Sequence, residues 1–140
     1  MQTITINTDG GARGNPGPAG VGVVIANQSG VIKEVAHFIG EQTNNWAEYE
    51  GVVVALTELK KVIPKPKRST TQVEVRMDSE LVVKQLNGEY QVKDEPLQLQ
   101  FMKVHNLRVA EFPHVSFVHV RREQNKEADR LANEAMDRGR

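Results

Sequence analysis

Strand-like runs crowd the first part of this chain and are sparse after it, and that asymmetry limits its folds more than any other feature. Thr3 to Thr8 reads TITINT, an alternating β-branched run that suits a strand ending at Asp9. Val21 to Asn27 and Val31 to Gly40 read as two more, joined through Gln28-Ser29-Gly30. A loop that short makes them an antiparallel hairpin. The two later runs, Gln72 to Met77 and Val115 to Val120, are isolated by helical stretches. Parallel strands need long crossovers, usually helical. Thr43-Asn44-Asn45 offers capping side chains for a helix from Trp46 to about Val62. Further helices are expected over Ser79 to Asn87, about Asp94 to Ala110, and Asn125 to Arg138. Ile63 to Thr71, with Pro64 and Pro66, is expected to be a loop. The order β-β-β-α-β-α-α-β-α predicts an α/β domain: a five-stranded mixed sheet flanked by helices. With no repeat, low-complexity tract or linker, residues 1–140 are read as one domain.

Charge narrows the function classes. Lys+Arg and Asp+Glu are each 18, so the formal net charge is zero. Binding to nucleic acid or to an anionic membrane must then come from local features, not bulk charge. The absence of cysteine excludes disulfides, zinc–thiolate sites and thiol nucleophiles. No segment approaches the ~20 apolar residues of a membrane span. The N-terminus, MQTITINTDGG, has no basic n-region and no apolar h-region, so no signal peptide is expected. The Asn27-Gln28-Ser29 sequon is then a turn, and a cytoplasmic, monomeric, stand-alone protein is expected.

The acids carry the chemistry. Asp9 and Asp78 end strands, and ligand crevices in open α/β sheets lie at the carboxyl ends of strands. Glu48 continues the apolar stripe of Val52, Ala55 and Leu59, a costly position for a lone carboxylate. Asp129 opens the last helix beside Ala128 and Leu131. Taken singly, each has a plainer reading as a turn, cap or solvated residue. Together, without thiols, they suit a hard cation such as Mg²⁺ or Mn²⁺. The Gly10–Gly14 segment is neither a Walker loop nor a dinucleotide fingerprint, and it lacks the spaced acids of a calcium loop. It is either a tight connection or a place for close backbone approach to phosphate or sugar.

Four blocks now stand in order: Asp9-Gly10-Gly11 with Gly14-Asn15-Pro16-Gly17; Thr43-Asn44-Asn45 before Ala47-Glu48; Met77-Asp78-Ser79; and Asn125 before Glu127-Ala128-Asp129. They resemble ribonuclease HI, from the first strand to the last helix. Each block alone is weak, but four in the family's order and spacing are specific. The resemblance implies an endoribonuclease acting on the RNA strand of RNA–DNA hybrids and leaving 5′-phosphate and 3′-hydroxyl ends. Activity on double-stranded RNA stays open. Asp9, Glu48, Asp78 and Asp129 would be the catalytic acids and would hold two ions, roughly 4 Å apart, that bind phosphate oxygens and activate water. Asp9 would bridge, Asp129 would help hold the water-activating ion, and Glu48 and Asp78 the other. Asn15, Asn44 and Asn45 would contact the hybrid, Gly11 would allow close backbone approach, and Thr43 would help hold a DNA-strand phosphate. The asparagine amides and Glu48 are suited to reading the RNA 2′-hydroxyl.

Three departures from the family pattern matter. No histidine lies between Val120 and Asn125, so Arg121 or Arg122 would reach the scissile phosphate in its place, unless both are solvated loop residues. Trp46 stands where the family often has arginine and is expected to pack on the sheet edge, the alternative being contact with the nucleic acid backbone. Gly88 to Pro96 leaves no room for the basic handle of some members. The basic run Lys60, Lys61, Lys65, Lys67 and Arg68 is read as a solubility feature, or else as a substitute phosphate contact. Tyr49, Tyr90 and Phe101 are expected in the core or packed on the sheet, and His37, His105 and His114 show no metal spacing. A non-catalytic binding module and a structural metal-binding protein are the competing classes.

Overall fold

Strand β1 (Thr3–Ala12) is shared by two ladders of different length, and this places the site. In the computed structural model, which describes residues 2–140, β1 pairs antiparallel with β2 (Gly17–Asn27) as far as Ala12↔Ala19. Its parallel ladder with β4 (Gln72–Met77) stops earlier, at Asn7↔Arg76. Strand β3 (Gly30–Gln42) lies antiparallel to β2, and β5 (Val115–His119) parallel to β4, in the order β3-β2-β1-β4-β5. This is the mixed five-stranded sheet expected from the element order. The Asn27-Gln28-Ser29 turn forms as expected, with the Asn27 Oδ1 accepting from the Ser29 N–H at 2.8 Å.

Helix α1 (Asn44–Val62) buries Val52, Ala55, Leu56 and Leu59 against Ile4, Ile6 and Val75 of the sheet. A short helix, α2 (Lys65–Arg68), precedes β4; α3 (Glu80–Leu86) and α4 (Glu95–Ala110) follow it. The last helix, α5 (Lys126–Arg138), buries Ala128, Leu131, Ala132 and Ala135 and packs on β2. A Cβ on Gly22 would overlap the Ala128 carbonyl, so glycine there is what lets the α5 backbone lie directly on β2. No helix is long and apolar enough to cross a membrane among the described residues.

Several expectations are corrected. Asp9 does not end β1; the strand runs on through Gly10, Gly11 and Ala12 because β2 begins early, at Gly17, and pairs with them. Asp9 does lie beyond the end of the ladder with β4. Ile63 to Thr71 is not all loop. Its Pro66 sits in the first turn of α2, where a missing N–H costs little. The basic run serves this corner: Arg68 donates to the carbonyls of Ile63 and Lys60 and pairs with Glu111 at 2.6 Å. Tyr90 is 47% exposed rather than in the core, with the Lys84 ammonium over its ring. Tyr49 is buried as expected, and its hydroxyl donates to the Gln85 Oε1 at 2.6 Å.

Candidate active site

The three inner acids reach one place from three elements. Thr43 caps α1, accepting from the Trp46 N–H at 3.3 Å, which starts the helix one turn before Glu48. Gly10 then allows α1 to close on β1, since a Cβ there would overlap the Ala47 carbonyl. Asp78 follows the last residue of β4 and precedes Ser79, whose hydroxyl caps α3. Asp9 lies just past the parallel ladder. One carboxylate oxygen from each of Asp9, Glu48 and Asp78 lies within 4.8 Å of the others. Asp129, exposed in the first turn of α5, lies beside the Asp9 carboxyl and lines the same cavity at the rim of this group.

Crowding shows in their acidity. Burial, then the charge of Asp78, then the contact with Asp129 push Asp9 up to about 8. Glu48 is also raised well above the usual carboxylate range, by burial first and then by Asp9 and Asp78, while Arg122 pulls it back. The Glu48 Oε2 is buried and has no hydrogen-bond partner. An orphaned buried oxygen beside two like charges is a donor set that suits a cation. All-oxygen donors fit Mg²⁺ or Mn²⁺. The acids open into a cavity of about 320 Å³, lined also by Arg13, Asn44, Arg122 and Asn133. A larger groove of about 530 Å³ between Trp46 and α4 is mostly apolar and carries one carboxylate, Glu95, so the chemistry belongs to the smaller one.

The expected substrate contacts divide. Asn44 Oδ1 accepts from the Ala12 N–H at 2.8 Å, and the Asn44 N–H donates to Asn15 Oδ1 at 3.0 Å. Both asparagines thus tie the glycine-rich turn to the start of α1 through their oxygens. Asn45 is exposed beside them. Gly11 lines the cavity, and a Cβ there would meet only Met136 Cε at 3.9 Å, so protein packing does not demand glycine at this position. Both arginines are exposed, but Arg122 lines the cavity, whereas Arg121 pairs with Glu123 at 3.1 Å. Trp46 lies against α4, with the Lys103 ammonium 5.9 Å from its ring centroid, and not on the sheet edge. Arg13 and Asn133 escaped the sequence reading. Asn133 is one helical turn after Asp129, a spacing that could have found it; Arg13 bonds to Asn133 and pairs with Asp137 at 2.6 Å.

The fold agrees with known proteins. A family model described as reverse transcriptase-like matches residues 7–135. Ribonuclease H of Desulforamulus reducens is 31% identical over 146 residues, covering 94% of this chain and 86% of that protein. The chain belongs to the ribonuclease H family. Among solved ribonuclease H structures, LC11-RNase H1, isolated from compost by a metagenomic approach, superposes with a TM-score of 0.92 at 49% identity, covering 99% of this chain and 98% of that one. LC11-RNase H1 has also been solved in complex with an RNA/DNA hybrid. The bifunctional protein Rv2228c of Mycobacterium tuberculosis is 41% identical over 136 residues, or 96% of this chain. The chain spans only 35% of the length of that relative.

Proposed function

We propose that this ribonuclease H family member is a divalent-metal-dependent endoribonuclease that cuts the RNA strand of RNA–DNA hybrids, leaving 5′-phosphate and 3′-hydroxyl ends. The observation that carries the reading is the carboxylate trio within 4.8 Å, with a buried Glu48 oxygen that no protein donor satisfies. Asp9, Glu48 and Asp78 would hold one ion, and Asp129, next to Asp9, would join Asp9 around a second. Bound there, Mg²⁺ or Mn²⁺ supplies Lewis acidity toward phosphate oxygens and a lowered pKa for attacking water.

The chain's own groups do the rest. Arg122, a cation on the cavity wall, would hold the anionic phosphate against the acids. The Asn15–Asn44 tie fixes the glycine-rich turn beside α1, so that the amides of Asn15, Asn44 and Asn45 meet the hybrid as one preset surface. Donors and acceptors of this kind read the RNA 2′-hydroxyl. Gly11 leaves room for the backbone of the hybrid, and Thr43 would help hold a phosphate of the DNA strand. With zero net charge and no basic handle, hybrid binding should be modest, metal-dependent and shallow in its salt dependence.

A cleavage assay tests the reading. End-labelled hybrid, single-stranded RNA, double-stranded RNA and double-stranded DNA are each incubated with Mg²⁺, Mn²⁺ or chelator. Metal-dependent cutting of the RNA strand of the hybrid is expected. Folded protein that cuts no substrate with either metal would overturn it in favour of a binding module.

A further inference from the structure

We infer that Asn125 is a positioning residue that sets Asp129 and Arg122 against Asp9, an inference that rests on the nuclease reading of this site. Asn125 occupies the position before α5, where an asparagine ordinarily caps the helix with its side chain. Here the side chain makes no cap bond and turns to β1 instead. Its Nδ2 donates to the Thr8 carbonyl at 3.0 Å, and its Oδ1 accepts from Asn7 Nδ2 at 3.0 Å. The residue is 1% exposed.

The reason lies in the sheet. The β1–β4 ladder stops at Asn7↔Arg76, so the Thr8 carbonyl lies past the last paired residue of that ladder. Asn125 supplies a donor to it. Thr8 is bonded directly to Asp9, and the side-chain grip on Thr8 therefore fixes Asn125 relative to the Asp9 main chain. The main chain of Asn125 then carries the position outward in two directions. Its carbonyl accepts from the Asp129 N–H at 3.1 Å, and its N–H donates to the Arg122 carbonyl at 3.0 Å. One buried side chain thereby indexes three cavity residues to each other. A residue without both an amide donor and an acceptor cannot make this bridge, because Thr8 and Asn7 each need a different half of the carboxamide.

The test compares Asn125→Ala with Val104→Ala, a substitution on the buried face of α4 that does not line the cavity. Thermal unfolding, Mn²⁺ affinity by calorimetry, and separate kcat and KM on hybrid are measured for both. For Asn125→Ala, Mn²⁺ affinity should weaken and kcat fall by about tenfold or more, the usual effect of losing a group that orients metal ligands. KM should change less than kcat, since the contacts to the hybrid assigned to Asn15, Asn44 and Asn45 do not run through Asn125. Val104→Ala should lower Tm while leaving Mn²⁺ affinity and kcat at the parental values. Equal losses in both variants, or an Asn125→Ala protein with parental Mn²⁺ affinity and kcat, would overturn the inference. If Asn125→Ala does not fold, Asn7→Ala decides, because Asn7 is only half-buried and holds one end of the bridge. It should weaken Mn²⁺ binding about threefold or more, and parental affinity and kcat in it would overturn the inference. Failure of the parent protein to bind Mn²⁺ or cut hybrid would instead count against the nuclease reading.

Discussion

Asp9 and Gly22 are cross-strand partners, and the side chain that Gly22 lacks leaves the space in which α5 lies. Asp129 reaches the Asp9 carboxyl from that helix. Gly22→Ala should therefore damage both stability and site. The added Cβ meets backbone, which cannot rotate away. A loss of about 1–3 kcal/mol is expected, as for other overpacked positions. Urea titration with parallel cleavage measurements checks it; a variant with parental midpoint and rate would show that α5 has slack.

Removing one acid should separate catalysis from folding. Asp78→Asn deletes a charge that raises its neighbours and leaves the strand and the Ser79 cap intact. Its metal-free Tm should be no lower than the parent's, while cleavage falls by about three orders of magnitude or more. Appreciable cleavage by this variant would remove Asp78 from the site.

The raised pKa of Asp9 has a defined pH signature in chelator. Folded, it holds its proton up to about 8; unfolded, it releases it near the ordinary value of 3.8. Between those values the folded state carries more protons, so the Asp9 contribution to stability falls as pH rises. Unfolding midpoints of the parent, measured against Asp9→Asn at pH 5 and pH 8, should show the parent losing ground at the higher pH. Saturating Mg²⁺ should raise Tm more at pH 8 than at pH 5, because binding requires the ionised acids. A parent that gains on Asp9→Asn with rising pH would contradict this account.

Arg121 and Arg122 are adjacent yet differently placed, which makes them mutual controls. Arg122→Ala should slow cleavage by about tenfold or more, the loss of a charge-assisted contact to phosphate. Arg121→Ala, which removes an exposed pair with Glu123, should change the rate little. Steady-state kinetics on one hybrid suffices, and equal effects would dissolve the assignment of Arg122.

What could be read from the residues was whatever local periodicity encodes. The alternation of Thr3 to Thr8, the Asn27-Gln28-Ser29 turn and the apolar stripe of the last helix each state their element without help from elsewhere. The acids were legible because a carboxylate in an apolar stripe, as at Glu48, is conspicuous. The strand through Gly10, Gly11 and Ala12 was not legible, since glycine has low strand propensity and only pairing with β2 makes it one. Tyr90 was misplaced because an aromatic residue in a loop carries no period to reveal its side. Trp46 was misplaced for a related reason: its neighbour, α4, is distant in sequence. Asn125 was seen as part of a motif, but its turn away from the helix toward Thr8 exists only after α5 and β1 have met.

The early end of the β1–β4 ladder makes the site a matter of strand register and not of loop shape. Where the two strands part after Asn7, β1 goes on with β2 alone and a fork opens beside β4. The depth of the fork is set by which residues are partnered below it. A slip of β4 by one residue would exchange Asp78 for its neighbour and turn every β4 side chain to the opposite face. Lengthening the distant β2–β3 turn leaves the fork as it is, whereas a single residue inserted between Gln72 and Met77 would erase it. The buried Val73 and Val75, which line no part of the cavity, thus guard the chemistry by holding the count.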